Sequence, residues 1–374
     1  MLISKIDLKN NPKIVFIANL LKPYTQRAYL VGGSVRDILL GLNICDYDIE
    51  IYDIDPDTFN QLMNKIGATG VGKSFFVYRL KEFDLALARS ENKIGYGHKG
   101  FEVQICTEEK RAAKRRDFTI NALMINIFTN EFLDFYGGVR DLESRILRHI
   151  DSESFQQDSL RVLRALSFVA RFNLHIDPKS LQLMKSMDIS DLSKERINSE
   201  LYKFFQAQYL SLGFFYLQKL NLEKQIFYYE NSQVNEEFYI LLENARQFIK
   251  DEGLFLYLYL NYFHLDKKLF FANTRLKKEL LKKTQQPYFK DFISDDELAF
   301  IALHMPLKKW LGLWNAERVE KAKKIGLFEC KFESKITGEH IKKQGFSSKM
   351  IGLELENARK NELKEYLKKV KNDT

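Results

Sequence analysis

The sequence has little cysteine, little proline and no long hydrophobic run. Its three cysteines, Cys45, Cys106 and Cys330, are far apart and show no pair spacing, which argues against a disulfide framework and a cysteine-ligated zinc site. Six prolines and 18 glycines favour long helices with few structureless linkers. No apolar run is long enough to span a bilayer and no signal-peptide core follows Met1, so we expect a cytoplasmic protein with no membrane partner.

The chain is longer than one typical domain. For 374 residues we expect about two to four packed units. A hydrophobic content of 45% is ordinary for a soluble protein and enough for a core. The net charge of +8 and the pI near 9.0 are compatible with a polyanionic partner, although many soluble proteins are this basic.

The most informative stretch is residues 28–51. A short apolar strand leads into Gly32, Gly33 and Ser34, a helical pattern follows, and a second strand begins at Asp46. Glycines let the backbone approach a phosphate, and the amides at a helix start point at an anion. Asp46 and Asp48 lie on one face of the strand, a pair suited to Mg²⁺-dependent phosphoryl chemistry. The alternative is a plain turn followed by two solvated aspartates.

These residues carry a resemblance to a known family. The run Gly32-Gly33-Ser34-Val35-Arg36-Asp37 followed by Asp46-x-Asp48 resembles the signature of class II tRNA nucleotidyltransferases (CCA-adding enzymes) and bacterial poly(A) polymerases, members of the polymerase β-like nucleotidyltransferase superfamily. The resemblance implies that Asp46 and Asp48 are catalytic and hold two Mg²⁺ ions. It also implies phosphate contacts from Gly32, Gly33 and Ser34. Arg36 is assigned to the same phosphate site, with structural support as its alternative role.

A second motif lies at residues 115–122. Arg115-Arg116-Asp117-Phe118-Thr119-x-Asn121-Ala122 matches the family pattern that is held to bind triphosphate and ribose. The resemblance therefore implies phosphate contacts from Arg115 and Arg116, and ribose contacts from Asp117 and Asn121. A carboxylate at Asp117 could accept a hydrogen bond from the ribose 2′-hydroxyl. Taken alone, the basic residues could equally be a solvated helix end.

A third motif begins a long helix near residue 158. Asp158 and Arg161 are neighbours on one helix face, so they could be an ordinary ion pair. A carboxylate beside a guanidinium also matches the Watson–Crick edges of cytosine and adenine and mismatches those of guanine and uracil. The family's motif at this position is Glu-Asp-x-x-Arg, and its Asp and Arg read the base. We assign Arg164 to the same site. Gln157 replaces the usual glutamate.

Two further segments extend the resemblance. Arg89, Glu91 and Lys93, with the glycines that follow, resemble a mobile loop that the family needs when it switches from CTP to ATP; a plain flexible surface loop is the alternative. The C-terminal pattern around Gly345 and Ile351 is similar to the family's tail, which contacts the tRNA elbow.

The resemblance implies an α+β fold: a polymerase β-like head, with a small mixed sheet and helices, followed by an all-helical neck, body and tail. We expect the head at 1–150, the base-reading neck at 151–205, the body at 206–330 and the tRNA-binding tail at 331–374. The implied function is template-independent addition of CMP, CMP and AMP to the tRNA 3′ end from CTP and ATP, with release of pyrophosphate and no DNA partner. The alternatives are an A-adding enzyme, a poly(A) polymerase or a non-catalytic RNA-binding module.

Overall fold

The computed structural model describes residues 8–72, 76–93, 101–229, 235–346 and 350–372. The chain divides into two compact units, Met1–Ser193 and Lys194–Thr374. The finer division into head, neck, body and tail stays a prediction. None of the helices in the described ranges is long and apolar enough to cross a membrane.

The first unit is built on a mixed sheet. The strands of the described residues are β1 (Ala28–Val31), β2 (Tyr47–Ile51), β3 (Thr69–Gly72), β4 (Val77–Leu80), β5 (Phe83–Leu87), β6 (Arg89–Lys93), β7 (Phe101–Ile105), β8 (Met124–Asn126), β9 (Phe132–Leu133), β10 (Ile146–Leu147) and β11 (His175–Ile176). Seven of them form one sheet in the order β3-β4-β5-β2-β1-β8-β9, in which β2 and β5 are parallel and the other pairs antiparallel. The pairs β6-β7 and β10-β11 are separate ribbons.

The described residues of this unit also form eight helices. They are α1 (Pro12–Leu21), α2 (Gly33–Leu39), α3 (Pro56–Lys65), α4 (Glu109–Lys114), α5 (Gly138–Glu143), α6 (Ser152–Gln156), α7 (Leu160–Phe172) and α8 (Pro178–Lys185), with a 3-10 turn at Thr119–Asn121. Local sequence fixes several starts. Asn11 and Asp55 cap α1 and α3 with their side chains, and each is followed by a proline in the first turn, where no amide is needed.

The second unit is helical in its described part. Its helices are α9 (Lys194–Phe205), α10 (Leu210–Lys219), α11 (Leu222–Phe227), α12 (Glu236–Phe248), α13 (Leu254–Tyr262), α14 (Lys267–Thr274), α15 (Lys278–Thr284), α16 (Asp295–Ala302), α17 (Ala316–Lys324), α18 (Gly338–Lys343) and α19 (Ile351–Asn372), with a 3-10 turn at Leu307–Lys309. Residues 254–260 of α13 are each at most 1% exposed, because this helix is apolar on all sides. The α+β fold predicted from the sequence is confirmed.

Two local predictions need correction. Residues 71–80 alternate like a single strand, but they are divided between β3 and β4, with residues 73–75 outside the described part of the chain. Phe76 has a left-handed φ of 50° immediately before β4. The segment that begins at Arg89 was expected to be a loop, but it forms β6, which pairs with β7 from Arg89↔Ile105 to Lys93↔Phe101. The backbone hydrogen bonds of this polar strand come from pairing with β7, and the sequence of β6 itself has no apolar alternation that would predict a strand.

Candidate active site

A buried serine holds the start of α2 against the start of β2. The Ser34 hydroxyl donates to the Asp46 carbonyl oxygen at 2.9 Å and accepts from the Asp48 amide at 3.1 Å. Ser34 therefore fixes the backbone on which both predicted catalytic carboxylates stand. Its one hydroxyl proton is committed to Asp46, so any phosphate contact from Ser34 falls to its backbone amide, which has no partner within a helix at this position.

Gly32 is placed where only glycine fits. Its φ of 66° and ψ of −128° lie in a region that side chains rarely adopt. A Cβ on Gly32 would come within 2.8 Å of Arg116 Nη1 and within 3.8 Å of Asp48 Oδ2. The glycine turn, the Asp48 carboxylate and the Arg116 guanidinium therefore converge on one small region.

The two predicted metal ligands differ in environment. The Asp46 side chain is 68% exposed, whereas Asp48 is half-buried. Burial raises the pKa of Asp48, and the nearby Arg116 charge partly opposes that shift. One exposed and one half-buried carboxylate suit a hard cation such as Mg²⁺. Among the described residues no group of three or more His, Cys, Asp or Glu side chains could hold a metal ion, so the remaining ligands would be substrate oxygens and water.

A further carboxylate, Asp84, lies beside this pair. It stands opposite Asp48 in the parallel pairing of β2 with β5, and both of its oxygens accept hydrogen bonds from Arg79, at 2.9 and 3.1 Å. Arg79 Nη2 is also 3.7 Å from Asp46 Oδ1. Asp84 was not predicted from the sequence; its signal was a charged residue within the alternating apolar strand 83–87.

The arginines of the second motif share a buried carboxylate. Glu50 Oε2 accepts from Nη2 of Arg115 and from Nη2 of Arg116, both at 3.0 Å. Burial alone would raise the pKa of Glu50, but the two guanidinium charges outweigh it and hold that pKa below its usual range. Glu50 was also missed, and its signal was the two-residue spacing that continues from Asp46 and Asp48.

Arg36 lies behind the site and is 5% exposed. It donates to Asp37 Oδ1 through Nε and Nη2 and to Asn121 Oδ1 through Nη1, and its guanidinium lies 4.4 Å from the Phe172 ring centroid. These contacts favour the structural role over direct phosphate contact. Asn121 in turn donates to Asp117 at 2.9 Å, which links α2 to the second motif.

Asp117 is buried and its oxygens already have donors. Oδ1 accepts from the Phe118 amide and Asn121, and Oδ2 accepts from Arg164 Nε at 2.7 Å. Burial opposes ionisation, but Arg164 and Asn121 outweigh it and lower the pKa of Asp117. The carboxylate therefore anchors α7 to this segment, and its predicted ribose contact stays a prediction.

The predicted base-reading residues lie at the start of α7. Asp158 Oδ1 accepts from the Leu160 amide, the first amide of α7, at 3.2 Å. Arg161 donates to the Ser154 carbonyl oxygen at 2.8 Å and to the Arg115 carbonyl oxygen at 2.7 Å. The residue predicted to read the base therefore also holds the backbone of a predicted phosphate-binding arginine.

Comparison with known proteins agrees with this arrangement. A family model described as the Poly A polymerase head domain matches residues 28–148. These residues are similar to that head domain. The match includes the glycine turn, both carboxylates and the second motif, and the resemblance expected from the sequence is confirmed for the head.

Curated relatives of the head domain carry the name Multifunctional CCA protein. The protein from Nitrosospira multiformis is 39% identical over 202 residues, covering 51% of this chain and 47% of the relative. The protein from Xylella fastidiosa (strain 9a5c) is 41% identical over 186 residues, covering 47% of this chain and 44% of the relative. The chain thus matches about half the length of these curated relatives.

Solved structures share the fold of head and helices together. An apo CCA-adding enzyme (form II) superposes with a TM-score of 0.68 at 21% identity, covering 100% of this chain and 98% of that one. The Thermotoga maritima CCA-adding enzyme in complex with tRNA superposes with a TM-score of 0.66 at 21% identity, covering 100% of this chain and 97% of that one. At 21% identity these likenesses show the fold alone.

Within the head domain, the predicted switching segment is a ribbon. Arg89, Glu91 and Lys93 all lie in β6, so the structure corrects their assignment to a loop. The side chains of Glu91 and Lys93, and residues 94–100, lie outside the described part of the chain. A role for this segment in exchanging CTP for ATP stays a prediction.

Proposed function

We propose that this protein is a CCA-adding tRNA nucleotidyltransferase that transfers CMP, CMP and AMP from CTP and ATP to the tRNA 3′ end. The observation that carries the proposal is the convergence of Asp48, Gly32 and Arg116 in a head domain of the matching family. Structures with the same fold include complexes with tRNA, with ATP and with CTP. The named curated relatives are Multifunctional CCA proteins.

In this proposal Asp46 and Asp48 hold two Mg²⁺ ions. When bound, the ions lower the pKa of the attacking 3′-hydroxyl and offset negative charge on the phosphates. The backbone amides of Gly33 and Ser34, at the start of α2, would face the phosphates, whereas the Gly32 amide donates to the Leu123 carbonyl oxygen at 3.2 Å. Ser34 keeps the backbone of both carboxylates in place. Arg115 and Arg116 add positive charge where the triphosphate would lie.

Base choice is proposed to reside in Asp158 and Arg161. One side chain accepts from the exocyclic amino group and the other donates to the ring nitrogen, an order that cytosine and adenine share. Guanine and uracil would leave these groups unpaired, and a site built on hydrogen bonds rejects such mismatches strongly. Arg161 would read a base while keeping its bonds to the Arg115 and Ser154 carbonyl oxygens, because a guanidinium has five N–H donors.

The decisive experiment uses purified protein, Mg²⁺ and tRNA transcripts that lack the CCA end. Each labelled nucleotide is supplied alone, and then CTP is supplied with ATP. The proposal expects two C additions followed by one A and then a stop. Long A tails on any RNA would instead identify a poly(A) polymerase, and addition of A only to tRNA ending in CC would identify an A-adding enzyme.

Asp46→Ala and Asp48→Ala separate catalysis from binding. We expect both variants to lose turnover while they still bind tRNA in a filter-binding assay. Asp57→Ala is the matched control, because Asp57 is an exposed aspartate on α3 that is not assigned to the site. Unchanged turnover in the Asp46 and Asp48 variants would refute the catalytic assignment. A cytoplasmic location, contact with the tRNA elbow and the absence of DNA binding belong to the same proposal.

A further inference from the structure

Glu50 occupies a position between the predicted metal ligands and the predicted phosphate ligands. It is 2% exposed and follows Asp48 by two residues on β2, so both side chains stand on the same face of the strand. Its Oε2 accepts from Arg115 and Arg116, each at 3.0 Å, and its Oε1 accepts from the Tyr52 hydroxyl at 2.7 Å. Every acceptor atom of this buried carboxylate therefore has a donor.

The hydrogen bonds from Arg115 and Arg116 to Glu50 restrict the positions of both guanidinium groups. Arg115 and Arg116 keep 21% and 15% of their side chains exposed, so both remain partly accessible while they contact Glu50. Arg116 Nη1 lies 2.8 Å from the position that a Cβ of Gly32 would take, and Asp48 Oδ2 lies 3.8 Å from the same position. Because Arg116 Nη1 and Asp48 Oδ2 both lie beside that position, we expect an Arg116 released from Glu50 to pair with Asp48.

We infer that Glu50 is a positioning residue that holds Arg115 and Arg116 ready for the triphosphate and keeps Arg116 from pairing with Asp48. The inference rests on the proposed function in one respect, the assignment of these arginines to nucleotide phosphates. Loss of the Glu50 charge would then have two consequences: the phosphate ligands would lose their fixed geometry, and a guanidinium would compete with Mg²⁺ for Asp48.

The test is Glu50→Gln, which keeps the size of the side chain and removes its charge. We expect the KM for CTP to rise about tenfold, since charge-assisted contacts are the strong ones. We also expect the Mg²⁺ concentration for half-maximal activity to rise several-fold, with kcat at saturating CTP and Mg²⁺ changed far less. Calorimetric binding of CTP without metal should weaken in parallel.

Glu109→Gln is a matched control in the same unit. Glu109 Oε1 accepts from Tyr29 at 2.8 Å and from Arg27 at 2.8 and 3.0 Å, a Tyr–Glu–Arg cluster of the same type that contains no predicted site residue. Its loss should lower thermal stability and leave KM and the Mg²⁺ requirement unchanged. If Glu50→Gln behaved in the same way, Glu50 would be merely structural and the inference would be overturned.

Glu50→Asp separates charge from reach and provides a second variant if Glu50→Gln does not fold. It keeps the negative charge with a shorter side chain, so we expect a Mg²⁺ requirement near that of the unmodified protein. The KM for CTP should lie between the values of the unmodified protein and of Glu50→Gln. A Mg²⁺ requirement as high as that of Glu50→Gln, or a KM unchanged in both variants, would overturn the inference. Absence of nucleotide transfer by the unmodified protein would instead refute the proposed function itself.

Discussion

Replacing Gly32 by alanine should separate backbone strain from damage to the site. The φ of 66° with ψ of −128° is outside the regions open to alanine, which costs about 1–3 kcal/mol of stability. The new Cβ would also lie 2.8 Å from Arg116 Nη1, so the guanidinium must move. A hydrogen bond to a charged group contributes about 1.5–3 kcal/mol. Losing one between Arg116 and the triphosphate should reduce kcat/KM about 10- to 150-fold.

Gly67→Ala provides the control for strain alone. Gly67 has a similar positive φ of 72°, but no atom lies within 4 Å of the position its Cβ would take. We expect it to lower the free energy of unfolding by about 1–2 kcal/mol, with kcat/KM per folded molecule unchanged. The assay is steady-state CTP incorporation, normalised by circular dichroism for the folded fraction. If Gly32→Ala lost no more activity than Gly67→Ala, the convergence at Gly32 would have no role in nucleotide binding.

Three further predictions concern the contacts around this site. Ser34→Ala should lower the free energy of unfolding by about 1–3 kcal/mol in denaturant titrations and raise the Mg²⁺ requirement, because it releases the Asp48 amide. The lowered pKa of Asp117 stabilises the fold above about pH 4, and that contribution is lost as the pH falls through the folded-state value. Asp117→Asn should therefore be less stable than the unmodified protein at neutral pH, with a difference that narrows in acid. Asp158→Asn should admit GTP and UTP in single-nucleotide extension assays, and continued rejection of both would place base choice elsewhere.

Local patterns predicted the parts of the head that depend on neighbouring residues. The first strand, the glycine turn and the following helix were all expected near the positions where β1, Gly32 and α2 lie. Each has a signal within a few residues. The strand has an apolar run, the turn has glycines that can adopt a positive φ, and the helix has a helical repeat that ends at Gly41. The start of α3 has a local signal of the same kind, because Asp55 is a capping residue followed directly by Pro56.

Contacts between distant residues were not predictable in this way. Glu50 meets Arg115 across 65 residues of sequence, and Asp84 meets Asp48 only because β5 pairs with β2 in parallel. Ser34 had a phosphate-binding role assigned from its motif. Its hydroxyl instead bonds the backbone of Asp46 and Asp48, because the start of α2 lies against the start of β2. The position of Asp84 beside Asp48 depends on strand register, which is a property of the whole sheet. The other two contacts depend on where α2 and the residue after α4 meet β2, which no local pattern specifies.

The connection between α7 and the second motif has a consequence for the proposed reaction. Arg161 donates to the Arg115 carbonyl oxygen at 2.7 Å, and Arg164 donates to Asp117 at 2.7 Å, so the helix predicted to read the base and the segment predicted to bind phosphate are joined at two points. A base that pulled Arg161 out of position would also disturb the backbone of Arg115. Mismatched nucleotides should therefore bind more weakly and also be transferred more slowly. The shift of Arg161 that breaks its contact with the base would also displace Arg115, a predicted phosphate ligand.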